Sequence, residues 1–230
     1  MYRPTLAIVV GIIVSLMSVY PSSLAGNRIT YVPPKQKQEK PQDTQSSATR
    51  GCPQDLANTV TLLAPRNHVA LTVSNRPILF YYLSRKVSVP ASITLAEIDG
   101  RSAIVEKPIN LDRIGINNVK LPQEVELETN KEYLWTITLV CNAKRPSENV
   151  EVQATLKRVV PSAELERQLA LVDSPRERSQ LYAQSGIWYD TLTNLASLER
   201  KEASRDFQDL LTQIGWPNLM GQDLSREEQE

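Results

Sequence analysis

The side chains able to do chemistry in this 230-residue chain are few and scattered. There is one histidine, His68, and there are two cysteines, Cys52 and Cys141. Nucleophilic catalysis needs a Ser or Cys with a base and a group to orient that base, and His68 is the only imidazole available. It follows Pro65 in a turn, where an exposed loop residue is expected. Glu124, Glu126 and Glu128 alternate ahead of a strand, which is the pattern of a solvated face, and paired-carboxylate chemistry would also require a cleft. The eight glycines form no phosphate-cradling loop. Arg85-Lys86 and Lys144-Arg145 lie among polar residues without interleaved aromatics. With 26 basic residues against 26 acidic ones, nothing marks a nucleic-acid surface. Two cysteines and one histidine do not complete a metal site. The expectation is a protein without catalytic residues, metal or cofactor.

The cysteines speak of compartment instead. Residues 1–25 read as a signal peptide: Arg3 opens it, Leu6 to Val19 is apolar but for Gly11, Ser15 and Ser18, and Ser23-Leu24-Ala25 sets up cleavage after Ala25. The run falls short of the roughly 20 residues that span a bilayer. A retained anchor is the rival reading; after cleavage no stable membrane insertion is expected, and the address is periplasmic or secreted. There a lone cysteine pair is most simply one structural disulfide, Cys52–Cys141, with two free buried thiols as the alternative.

Further elements follow from periodicity and punctuation. Residues 26–50 are rich in Pro and Gln and are expected to be a solvated linker. From 51 to 160 a series of short strands alternates with turn chemistry: Thr59–Leu63, Val69–Val73, Ile78–Leu83, Ile93–Ile98, Ala103–Glu106, Ile116–Leu121, Glu132–Cys141 and the segment from Val150 to Leu156 are the candidates. Asp99-Gly100 is a hairpin signal. In Glu132–Cys141, Tyr133, Trp135, Ile137, Leu139 and Cys141 share one face, so it reads as a half-buried central strand. The fold class is an antiparallel β-sandwich followed by helices.

After Pro161 the period becomes helical. Ser162 is placed to cap one helix, and Ser174-Pro175-Arg176-Glu177 carries a capping Ser, a first-turn Pro and a capping-box Glu. Gly186 ends that helix, residues 187–199 return, and Phe207, Leu210, Leu211 and Ile214 give a last amphipathic face closed by Gly215. These helices fill 161–216, and 217–230 is a polar tail. Residues 161–230 hold seven Lys/Arg against thirteen Asp/Glu, an acidic end to a neutral body.

Three resemblances add to this. Leu127 to Trp135, LETNKEYLW, is similar to the strand entry of immunoglobulin-like and fibronectin-type sandwiches, which implies that the Tyr133 hydroxyl bonds back to backbone a few residues upstream. Leu181 to Leu192, with Gly186 between two helices, resembles a tetratricopeptide hairpin. One such unit must bury its apolar face on the sandwich or on a partner. Trp188 and Tyr189 are thus either core or an aromatic partner-binding surface, and they are the candidate partner-binding residues. Finally, Gly51-Cys52-Pro53, Leu63-Ala64-Pro65, Tyr133-Leu-Trp135 before Val140-Cys141, and Gly186-Ile-Trp188-Tyr189-Asp190 together resemble a cyanobacterial family catalogued as domain of unknown function number 928. That resemblance implies an extracytoplasmic address and brings no activity. The expected role is an envelope interaction or scaffold protein binding another envelope or secreted protein through the helical hairpin and the sandwich, with a carbohydrate-binding or carbohydrate-active module as the alternative.

Overall fold

The structure, a computed structural model, describes residues 28–35, 52–53, 56, 58–98 and 103–216. The expected signal peptide, most of the expected linker, the Asp99-Gly100 turn and the polar tail lie outside the described residues. Among the described residues, eight strands fall in two sheets: β1 (Val60–Leu62), β3 (Ile78–Leu83) and β6 (Gly115–Lys120) form one, in the order β1-β3-β6. The other holds β2 (Ala70–Thr72), β4 (Ala91–Glu97), β5 (Ala103–Ile109), β7 (Glu132–Leu139) and β8 (Val150–Arg158), in the order β2-β8-β7-β4-β5. Helices α1 (Ala163–Leu169), α2 (Pro175–Gln184), α3 (Trp188–Leu195) and α4 (Arg200–Gln213) follow.

The alternating pattern of β7 places it in the middle of the larger sheet. Trp135 pairs with Ala154 on one side and Leu95 on the other, and Ile137 with Val152 and Ile93. The small Ala154 leaves room for the indole, which is wholly buried. The Tyr133 hydroxyl accepts from the Glu128 backbone N–H at 2.7 Å, so the strand entry is tied to the turn before it. Cys52 and Cys141 are bonded, with Cα atoms 5.4 Å apart.

One pairing departs from the expected antiparallel sandwich: β2 runs parallel to β8, with Ala70 opposite Leu156 and Thr72 opposite Arg158. A three-residue strand has too little pattern to declare its direction, and β2 joins at the sheet's end, where one neighbour suffices. The opposite edge, β5, carries Pro108, which cannot donate to a further strand and so blunts that edge.

The run Ile78-Leu-Phe-Tyr-Tyr-Leu83 is apolar throughout because β3 is covered on both faces. On one of them Phe80 meets Phe207 of α4, with ring centroids 6.1 Å apart. Side chains of both sheets and of α3 and α4 form a single hydrophobic cluster. A smaller cluster joins Leu71 of β2 to Leu165, Tyr182 and Ile187.

Helix ends follow the expected chemistry with one exception. The Ser162 side chain accepts from Leu165 N–H and starts α1. Pro175 starts α2, but the Ser174 side chain makes no cap bond, so the expected capping box does not form. Both α2 and α4 end at left-handed glycines with the two-bond Schellman pattern. Ile187 N–H donates to Tyr182 O and Gly186 N–H to Ala183 O; Trp216 N–H donates to Leu211 O and Gly215 N–H to Thr212 O.

Candidate functional site

Several buried polar and aromatic side chains converge on the junction where α3 meets the sheets. The left-handed turn at Gly186 starts α3 directly with Trp188, Tyr189 and Asp190 on buried positions. Trp188 and Tyr189 are 0% exposed. The Trp188 indole N–H donates to Leu63 O at 2.7 Å, and the Trp135 indole N–H donates to the Tyr189 hydroxyl at 2.8 Å. Burial pushes the Tyr189 phenol well above the ordinary tyrosine range, with the Trp135 bond pulling weakly the other way. Of the two roles open to these rings, the structure gives them the core, so neither is a partner-binding surface. Their polar atoms find partners inside the fold, which lets aromatic bodies of this size be buried without an orphaned donor.

Asp190 caps the free edge of β2. It accepts from Thr72 Oγ1 at 2.8 Å and from Val73 N–H at 3.0 Å, doing for that edge what another strand would do. Burial raises its pKa, and the two hydrogen bonds offset part of that rise. Nearby, Ser179 Oγ donates to Thr191 O and joins α2 to α3. Arg176 at the start of α2 grips Asp206 of α4 with both Nε and Nη2.

His68 is not an exposed loop residue. It is 4% exposed, and Tyr31 from the expected linker lies over it. The Asn67 side-chain oxygen faces Nδ1 at 2.7 Å, which places the imidazole proton there; Nε2 then accepts from the Tyr31 hydroxyl at 2.7 Å. Burial lowers the His68 pKa and raises that of Tyr31, so both groups stay neutral. A phenol driven upward is no nucleophile at neutral pH, so this is a structural hydrogen-bond chain.

Tyr31 belongs to a strap, residues 28–35, that corrects the expected linker at its first residues. Ile29 and Tyr31 are buried while Arg28, Thr30 and Val32 face out. Sequence reasoning missed this, although the period-two alternation from Arg28 to Val32 was a usable signal. It was obscured by the Pro- and Gln-rich stretch that follows.

The remaining candidates are surface features. Glu124, Glu126 and Glu128 are exposed between buried Val125 and Leu127. Lys144 and Arg145 are exposed, with Arg145 paired to Glu148. Among the described residues no three His, Cys, Asp or Glu side chains gather as metal ligands, and no helix is long and apolar enough to cross a membrane. The exposed large apolar side chains include Val160 at 67% and Leu171 at 80%, one on each side of α1. The turn that carries Leu171 is held rigidly, because Arg178 Nη1 donates to Leu169 O at 2.9 Å and to Val172 O at 3.4 Å.

A family model described as Domain of Unknown Function (DUF928) matches residues 45–224, most of the chain. The chain belongs to this family. The DUF928 match takes in the disulfide, both sheets and all four helices. Among curated proteins none matches significantly. Of solved structures, a DUF3244 family protein with an immunoglobulin-like β-sandwich fold from Bacteroides vulgatus ATCC 8482 is similar at 12% identity, covering 42% of this chain and 83% of that one, with a TM-score of 0.26. Astrotactin-2, a vertebrate-specific perforin-like membrane protein, is similar at 12% identity over 66% of this chain and 30% of its own, with a TM-score of 0.28. Neither likeness bears on function.

Proposed function

We propose that this DUF928 protein is an exported, non-enzymatic interaction protein of the bacterial envelope, and that it docks another envelope or secreted protein through the α1–α2 edge. The observation that carries the reading is Leu171, a large apolar side chain 80% exposed on a turn pinned by Arg178. A leucine held out in water by a rigid backbone is a ready contact for a partner. Val160 extends the apolar character to the other side of α1. Export is supported by the disulfide, which persists in oxidising compartments, and by the apolar leader. The α2–α3 pair, joined through the Gly186 turn, spends its aromatic face on the sheets and so leaves docking to the α1–α2 side.

The carbohydrate reading fares less well. Sugar binding uses exposed aromatic platforms, whereas every Trp, Tyr and Phe among the described residues is buried. An open depression of about 290 Å³ beside β4 and β5 is lined by Pro90, Ala91, Ser92, Glu106, Lys107, Pro108 and Val140, with no aromatic ring in it.

The test is recovery of interacting proteins from an envelope fraction by wild type, by Val160→Glu/Leu171→Glu, and by an Ile98→Glu control. Partners recovered by wild type and the control but lost with the double variant support the reading. Equal recovery by all three sinks it. Surface variants are preferable to removing the helices, because α3 and α4 are part of the core.

A further inference from the structure

The strap is held the way a receptor holds a peptide. Its first side chain, Arg28, makes two bonds to the Asp209 carboxylate, at 2.7 and 2.5 Å. Ile29 is fully buried. The Gln213 side-chain amide then brackets the backbone: its Nε2 donates to Ile29 O at 2.9 Å and its Oε1 accepts from Tyr31 N–H at 2.9 Å. Two bonds to residues i and i+2 are what a parallel β neighbour supplies. Tyr31 meets the Trp188 ring edge-on at a centroid distance of 4.9 Å and bonds to His68. Val32 N–H donates to Ala183 O at 3.0 Å, at the end of α2.

Three properties make this a binding site and not merely a chain end. Among the described residues, the strap's polar contacts that reach beyond it go to residues at least 37 positions away. The groove is shaped by bonds internal to the body: the Schellman turn fixes Gly186, Leu63 O fixes Trp188, and Asn67 fixes the His68 tautomer. The floor is cut to fit backbone, since a Cβ at Gly186 would come within 3.0 Å of Val32 O. Between the strap and the disulfide-anchored Cys52 lie the 16 residues 36–51, which at full extension could reach about 55–60 Å. That exceeds the diameter of a body whose radius of gyration is about 15 Å.

We infer that the strap is an exchangeable peptide ligand, and that its groove accepts the same segment from a second copy of the chain. The ligand class is a short peptide with a basic, an aliphatic and an aromatic side chain in the order of Arg28, Ile29 and Tyr31. Such exchange joins copies using contacts that already exist.

Two full-chain variants test this. Ile29→Ala/Tyr31→Ala weakens the strap and keeps the groove; Gly186→Ala keeps the strap and crowds the groove. A fluorescein-labelled peptide of residues 28–35 should bind the first variant saturably and raise its melting temperature. The same peptide with Ala at both positions should bind about 100-fold more weakly or worse, from the lost burial of two large side chains. Mixing the two variants should give a 1:1 heterodimer by light scattering, while each alone is monomeric. If circular dichroism shows the double variant unfolded, Tyr31→Phe, which removes only the bond to His68, takes its place with the same peptide. A folded variant that binds no peptide, an Ala peptide that binds as well as the native one, or a mixture that stays monomeric overturns the proposal.

Discussion

Gly186→Ala separates two costs that are usually confounded. Gly186 sits at φ +74°, and an L-residue in the left-handed region costs about 1–2 kcal/mol. A Cβ there would also lie 3.0 Å from Val32 O and 3.3 Å from Pro34 N. Both atoms are backbone, so the strap itself must move, putting the Val32 N–H bond to Ala183 O at risk. A net hydrogen bond contributes about 1 kcal/mol. The expected loss is therefore about 2–3 kcal/mol, or roughly 4–12 °C in Tm for a protein of this size. Gly215→Ala is the internal control. Its φ of +95° carries backbone strain as well, yet a Cβ there meets nothing within 4 Å. Equilibrium urea unfolding should rank Gly186→Ala as the more destabilised by about 1 kcal/mol, and limited proteolysis should cut its strap faster. Equal midpoints for the two variants would refute the claim that the strap's backbone rests on Gly186.

Three further outcomes are expected. Cys141→Ser opens a loop whose ends are 89 positions apart, which the chain-entropy model values at about 4–5 kcal/mol, so its thermal transition should fall by well over 5 °C; an unchanged curve removes the disulfide's structural role. Asp190→Ala leaves the Thr72 hydroxyl and Val73 N–H without an acceptor and should cost about 2–4 kcal/mol, whereas Asp190→Asn keeps an acceptor oxygen and should cost less; if the two are equal in denaturant titration, the edge cap is not what Asp190 provides. His68 is buried neutral with its pKa below 6.5, so its contribution is complete above pH 6.5 and declines as the pH falls below that value and the unfolded chain takes up a proton. Asp190, with a raised pKa, acts in the opposite sense, its penalty easing as pH falls through that raised value. Stability followed through the acid range should therefore lose acid sensitivity below pH 6.5 in His68→Asn, whereas Asp190→Asn should gain it at some pH above the ordinary carboxylate value of 3.8, and profiles parallel to wild type throughout would contradict both assignments.

The sequence carried the local pattern well and the long-range polar contacts hardly at all. Alternation located β7, and the Tyr133 corner and both glycine-ended helices followed from chemistry within a few residues of one another. His68 misled because its burial depends on Tyr31, 37 positions upstream in a segment whose composition speaks for solvation. Asp190 was invisible for the same reason: a carboxylate beside two aromatics gives no sign that its acceptor will close a sheet edge 118 positions earlier, at Thr72. The parallel β2–β8 pair was beyond reach because direction is set by how the chain returns, which a three-residue strand does not encode. At the candidate docking edge, nothing in the sequence singles out Leu171, and only the structure turns it outward.

The buried polar contacts also decide how the helices and sheets relate. Removing the chain after Val160 would strip Trp135 Nε1 of the Tyr189 hydroxyl, Leu63 O of Trp188, and Thr72 and Val73 of Asp190. Each of these hydrogen bonds is worth about 0.5–1.5 kcal/mol net, and the apolar face of β3 that meets Phe207 would be open to water besides. Four such bonds and the uncovered apolar surface together rival the whole stability of a typical domain, about 5–15 kcal/mol. The sheets on their own are then no refuge for the unfolding chain, and the two parts should melt in one transition. A partner gripping Leu171 would therefore meet a surface whose rigidity is drawn from the common core, and what it holds is the entire body.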